Sequence, residues 1–284
     1  MIQTSKMQEQ DRPLTPEEKW ERATLANNFI FYKVMRHHPD ACKHLIEILL
    51  NIEIERMEMH NEEVIDLDHD SKGIRLDVFV KDINKMYDIE IQAANTDDLP
   101  KRSRYYQALM DLDTLKAGQE YKELKDSHVI FICLDDIFKR GIPVYTFDYT
   151  CKEDGETKLD DGALKHFFIA KTCAKMIKDK EIKSFFEFLI SNKATSDYTS
   201  DLNKYVTDAK HNMQWRVQYM TWERQRTYDF NAGQEKGIAI GEQKRSIENA
   251  KNFLKMNILT PEQIAQGTGL TVDEVKQLAA EVIA

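Results

Sequence analysis

Asp77, Glu90 and Gln92 form the run D-x(12)-E-x-Q, and the cations Lys101, Arg102 and Arg104 follow shortly after it. These residue types suit one chemistry in particular. Carboxylates hold hard divalent cations such as Mg2+, which prefer oxygen ligands and keep several waters. A cation so held neutralises phosphate charge and helps to generate hydroxide from water. Asp77 and Glu90 are therefore the expected metal ligands, with the backbone carbonyl of Ile91 as a third oxygen. Gln92 can orient the attacking water or hold a phosphate oxygen, but its amide cannot act as a general base. Lys101, Arg102 and Arg104 fall at an expected helix start, where backbone amides and the helix dipole already favour anions. The pattern is short, however, and a surface hairpin commonly displays acids on its solvent face. The residues alone leave both readings open.

The elements that would position these groups are legible as periodicities. From Ile74 to Lys81 the chain alternates: Ile74, Leu76, Val78 and Val80 face one way, and Arg75, Asp77, Phe79 and Lys81 the other. Residues 82–85 read as a turn and Met86 to Ala93 as the returning strand, with Asp88, Glu90 and Gln92 opposite in facing to Ile89 and Ile91. Such a hairpin puts Asp77 on the face of Glu90 and Gln92. Leu99 to Lys116 has helical spacing, with Tyr105, Leu109, Leu112 and Leu115 as the expected packed stripe. The run His128 to Leu134 has the length of a buried central strand, and Val144 to Tyr149 reads as another.

Upstream, residues 1–15 carry no periodicity and read as a mobile arm. Thr15, Pro16, Glu17 and Glu18 then open a helix expected to continue to His37 and His38, and Pro39 opens a second. A half-buried strand is expected from Ile52 to Met59, followed by a polar loop. Downstream, residues 151–164 read as a loop, Phe167 to Ala170 as a short strand, Ile182 to Ile190 as a helix and Leu202 to Phe230 as another. Gly233, Gly237 and Gly241 recur every four residues, which suits a flexible linker or, less readily, a helix contact between subunits. The last forty residues read as helix, turn, helix, with Thr260 and Thr271 as caps. The second of these helices is acidic, which favours a protein contact over DNA reading. The expected organisation is thus an arm (1–15), an α/β domain (16–200), a helical linker (201–245) and a helix-turn-helix-like segment (246–284).

Of the 284 residues, 42% are hydrophobic and 31% charged, a globular composition, and the formal charge of −9 argues against a simple DNA-coating protein. Four dispersed cysteines without a C-x-x-C pair indicate neither a zinc ribbon nor a disulfide framework and fit a reducing compartment. The polar amino terminus lacks the apolar core of a signal peptide, and no stretch approaches the ~20 apolar residues of a membrane span. A cytoplasmic, membrane-free protein is the expectation.

The runs DVFVKDINKMYDIEIQ, KRSRYYQALMD, KAGQEYKEL and HVIFICLDD resemble the Rpn-type members of the PD-(D/E)XK nuclease superfamily, often labelled transposases. The likeness covers roughly residues 24–150, with a looser echo in the glycine-repeat tail. It implies a restriction-endonuclease-like α/β fold, a mixed sheet flanked by helices, here with an α-helical C-terminal extension. It also implies a Mg2+-dependent DNA endonuclease, with Mn2+ as a substitute, associated with recombination or mobile elements. The family's strand acid falls on Asp77, its E-x-Q on Glu90 and Gln92, and its helix motif on Arg102, Arg104, Tyr105 and Tyr106. Lys101, Arg102, Arg104 and Tyr106 are then the expected DNA contacts. In NNFIFYKVM, Asn28 stands where the family motif carries an acid, and an amide oxygen brings no charge to a metal. Two alternatives follow: a weak or inactive nuclease fold that works through protein contacts, as a homo-oligomer formed by residues 201–284, and a nuclease acting on RNA.

Overall fold

The computed structural model describes residues 12–59, 78–94 and 96–283, and divides the chain into two compact units, residues 1–219 and 220–284. The expected arm at residues 1–11, the polar loop, the first half of the alternating strand and Asp77 itself lie outside the described residues.

The first unit is built on a six-stranded sheet in the order β1-β2-β3-β4-β6-β5. β1 (Glu58–Met59), β2 (Val78–Lys81) and β3 (Lys85–Gln92) pair antiparallel, β4 (Asp126–Cys133) runs parallel to β3, β6 (Ala163–Ile169) runs parallel to β4, and β5 (Val144–Phe147) closes the far edge antiparallel. This is the mixed sheet flanked by helices expected from the sequence. β4 is central, and Val129 to Cys133 are all buried, as its unbroken apolar run requires. Just before β6, Gly162 adopts φ +71, and a Cβ there would run into the Asp126 side chain.

The helices α1 (Pro16–Arg22), α2 (Asn28–His37) and α3 (Pro39–Leu50) precede the sheet; α4 (Leu99–Thr114) follows β3, and α5 (Ala170–Met176), α6 (Lys180–Ser191) and α7 (Asp197–His211) follow β6. α1 starts where Thr15 and Glu18 form a reciprocal capping box. The single helix expected from Thr15 to His38 is two, because the Asn27 side chain accepts from the amides of Phe29 and Ile30 and starts a new one. The strand expected from Ile52 shrinks to β1. β6 begins four residues earlier than expected, and α5 was not anticipated. α4 covers one sheet face, where Phe79, Met86, Leu99, Tyr106, Met110, Val129, Phe131 and Phe167 share a core. On the other face Phe168 of β6 packs against Phe186 of α6, ring centroids 6.1 Å apart.

The packed stripe of α4 also differs from expectation. Tyr105 and Leu112 are 36% and 56% exposed, while Leu99, Ser103, Tyr106, Gln107 and Met110 are buried. Two polar residues turn inward because each finds a partner: Ser103 Oγ donates to the Pro100 carbonyl at 2.9 Å, and Gln107 Nε2 to Ser127 Oγ at 2.9 Å.

A long helix, α8 (Met213–Met256), leads into the second unit. The expected helix from Leu202 to Phe230 is divided at Asn212, whose side chain accepts from the Trp215 amide at 3.1 Å. The glycine repeat is helical rather than a flexible linker, and nothing lies within 4 Å of where a Cβ would sit on any of the three. α9 (Pro261–Thr268) and α10 (Val272–Ile283) follow, capped by Thr260 and Thr271 as expected. Ala250, Ile264, Ala265 and Val275 are the buried centre of this unit, with Phe253, Leu254 and Leu278 packed around them. No described helix is long and apolar enough to cross a membrane. Cys42, Cys133 and Cys173 are buried free thiols, and Cys151 is half-buried.

Candidate active site

β3 carries the centre of the site. Alternation along the strand places Asp88, Glu90 and Gln92 on one face, opposite Val129, Phe131 and Cys133 of β4 and beneath α4. Asp88 and Glu90 are 0% and 2% exposed. Removing two carboxylates two residues apart from water is costly unless positive charge is brought to them.

Arg102, in the first turn of α4, brings one. Its guanidinium Nη2 donates to Glu90 Oε2 at 3.1 Å and to the Tyr106 hydroxyl at 2.9 Å, and Nη1 donates to Gln92 Oε1 at 3.1 Å. The Gln92 amide nitrogen donates in turn to the Ala94 carbonyl at 2.6 Å, which fixes the orientation of the side chain. The guanidinium carbon lies 5.4 Å from the Tyr106 ring centroid and 5.7 Å from that of Phe131, within cation-π range of both. One planar fork thus gathers the E-x-Q pair. Lys could not, having no such geometry.

The titration of these groups follows from burial and charge. Burial opposes the charge of Arg102, but the Tyr106 hydroxyl and the negative charge of Glu90 outweigh it and its pKa is raised. Burial, and then the negative charge of Glu90, raise Tyr106, so its hydroxyl stays protonated. Burial pushes the neighbouring Cys133 thiol up to about 12.

The other sequence-derived candidates divide. Ile91 lies inside β3, paired in register with Ile132. Lys101 and Arg104 are exposed on α4, so the basic cluster is not one patch: only Arg102 turns toward Glu90. Tyr106, expected to grip DNA, is 4% exposed and instead supports Arg102. Asn28 is the first residue of α2 and half-buried, and no hydrogen bond among the described residues joins it to Glu90 or Gln92. Asp77 lies outside the described residues. Sequence reasoning placed Asp88 on this face without assigning it to the site. The signal was available in D-x-E-x-Q itself, whose alternation makes all three coplanar.

The donor set fits a hard divalent cation: carboxylate oxygens of Asp88 and Glu90 and a strand carbonyl, with no thiolate or imidazole among them. Among the described residues no group of three or more His, Cys, Asp or Glu side chains makes a complete metal centre. A further ligand must come from elsewhere, and Asp77 directly precedes β2.

A family model described as PD-(D/E)XK nuclease family transposase matches residues 38–189, more than half of the chain and all of β1 to β6. No curated protein and no solved structure matches.

Proposed function

Because the chain belongs to the PD-(D/E)XK nuclease family transposases, we propose that it is a divalent-metal-dependent DNA endonuclease acting in recombination or element mobility. One observation carries this reading: Glu90 and Gln92, two residues apart on a buried strand face, are held by a single guanidinium inside the region the family model matches. Asp77 and Glu90, with the Ile91 carbonyl, would hold Mg2+, and Mn2+ suits the same oxygens. Bound there, the metal supplies charge neutralisation on the scissile phosphate and acidifies a water.

The remaining work falls to the chain's own residues. Asp88, two residues before Glu90 on the same buried face, is placed to offer a further carboxyl oxygen to the same cation. Arg102 orients Glu90 and Gln92 through its two guanidinium nitrogens. Gln92, its nitrogen committed to Ala94, offers its oxygen side toward the site, where it can accept a hydrogen bond from a water. Tyr106 fixes the guanidinium and closes the apolar side against solvent. Lys101 and Arg104, exposed in the first turn of α4, are placed to meet backbone phosphates.

Nicking of supercoiled plasmid with and without Mg2+ tests this. Wild-type chain should nick only with metal, and Asp77→Asn and Glu90→Gln should each cut the rate by at least ~100-fold. Metal-dependent nicking that survives both changes would remove this mechanism.

A further inference from the structure

On the same sheet face as Glu90, beside Pro100, Ser103 and Arg104 of the α4 start, lies a cavity of about 290 Å3 with four aromatic residues in its wall. Phe138, Phe147, Tyr149 and Phe167 line it, with Arg104 and Lys165. Phe138 sits 5.2 Å from both Phe147 and Phe167, ring centroid to centroid, and nearly perpendicular to the latter at 89°. Phe147 and Tyr149 are nevertheless 42% and 48% exposed, so part of each side chain is left open to solvent.

The charges at this cavity are arranged for an anionic ligand with a flat body. Lys165 Nζ lies 5.2 Å from the Tyr149 ring centroid and donates to Gln107 Oε1 at 2.5 Å, which holds both cation and ring in place. Arg104 is exposed at the rim and makes no ion pair among the described residues. Asp148, the acid among the lining residues, is engaged by Lys158 Nζ at 2.9 Å, while Asp126, Asp160 and Asp161 lie in the adjoining hollow that shares Asp148 and Tyr149. An apolar side chain from a protein partner would use the rings but not the cations. A nucleotide uses both, since a base stacks on aromatic faces while its phosphate meets a guanidinium.

We propose that this cavity receives one unpaired nucleobase of the DNA substrate, against Phe147 and Tyr149, with the adjoining phosphate at Arg104. The proposal rests on the DNA-nuclease reading and adds to it a preference for an unpaired or extruded base. Its volume stands at the low end for ligand pockets and is enough for one base. A base inside a duplex cannot reach such a pocket without leaving the stack. Arg102 and Arg104 share the first turns of α4, so a strand crossing the helix start meets the Glu90 site and this cavity together.

The test is a short single-stranded oligonucleotide carrying a fluorescent purine analogue, titrated with full-length protein in EDTA so that cleavage plays no part. Wild-type protein should bind it and quench the purine. Phe147→Ala and Tyr149→Ala should each weaken affinity on the order of tenfold and relieve the quenching. Both side chains are well exposed, so the variants should fold, which their melting temperatures will show. Arg104→Ala, a surface change, should weaken binding and lower its salt dependence without relieving the quenching of the bound fraction. Wild-type affinity and quenching in both aromatic variants overturn the pocket, as does a wild-type chain that binds no oligonucleotide. A chain that quenches the purine through these rings but never nicks DNA keeps the pocket and removes the nuclease reading.

Discussion

Arg102 decides the geometry of the site, since a single guanidinium reaches Glu90, Gln92 and Tyr106. Replacing it leaves Glu90, 2% exposed, without that partner. Arg102→Ala should therefore cost about 3 kcal/mol of stability, the lower bound typical of breaking a buried pair, and should lower nicking as well. Arg102→Lys restores the charge but not the fork and should recover stability better than rate. Equal recovery of both would show that charge alone matters there. Tyr106→Phe keeps the ring under the guanidinium and removes one hydrogen bond. It should change stability by only ~1 kcal/mol while reducing nicking several-fold, measured by thermal melting beside the plasmid assay. That Glu90 and Gln92 share one strand face was legible in the sequence because strand alternation is strict. The partnership of Arg102 with them, and the burial of Tyr106, were not, because both depend on the rotation of α4 about its axis, which a charge-rich first turn does not reveal.

At the scale of elements, the sheet was the most legible part and the helix boundaries the least. The strands β2, β3 and β4 announce themselves by period and by continuous apolar runs, whereas two helix breaks were hidden inside apolar periodicity. In both cases the residue responsible is asparagine: Asn27 caps α2, and Asn212 caps the start of α8. A side-chain amide that captures a backbone N–H ends one helix and begins another whatever the surrounding hydrophobic pattern. The sheet also carries a device that its sequence did not suggest. His128 of β4 and His166 of β6 stack with ring centroids 5.3 Å apart, with Nδ1 of the first 3.1 Å from Nε2 of the second, while Thr146 Oγ1 lies 3.2 Å from His166 Nδ1. Both are lowered from 6.5 to about 4, chiefly by burial, and secondarily by the charge of Lys85 on His128 and of His128 on His166. A base whose folded pKa is depressed favours the unfolded chain in acid. Above pH ~6.5 neither state is protonated and the pair has no effect. Between there and pH ~4 the unfolded chain takes up protons that the folded one refuses, so each histidine lowers stability by up to about 1.4 kcal/mol per pH unit. Urea midpoints across this range should fall with acid, and less steeply in His166→Gln. An unchanged slope in that variant would show that the pair does not titrate this way.

Over the whole molecule, a net charge of −9 coexists with a proposed polyanionic substrate. Attraction must then be local, and the proposed DNA binding should fall with salt at a log-log slope of only about −2, from Arg104 and Lys101, rather than through a general field. The C-terminal unit contributes its own small core at Ala250, Ile264 and Val275. Ile264→Ala should destabilise that core by ~2–5 kcal/mol, read as lost amide protection at Ala265 and Val275 in hydrogen exchange. Unaltered protection would show that these residues do not share a core. Its helix pair was legible through two threonine caps, whereas the helical state of the glycine repeat was not, because three glycines at that spacing lower helix propensity by ~1 kcal/mol each.

The cysteines give the folded chain a chemical asymmetry. Burial pushes the thiols of Cys42, Cys133 and Cys173 up to about 12, so they present almost no thiolate at neutral pH. Cys151 alone is half-buried, and it stands two residues beyond Tyr149 in the aromatic cavity wall. A maleimide dye applied to the native protein should therefore settle at one place, giving a reporter beside the cavity without any substitution in the chain.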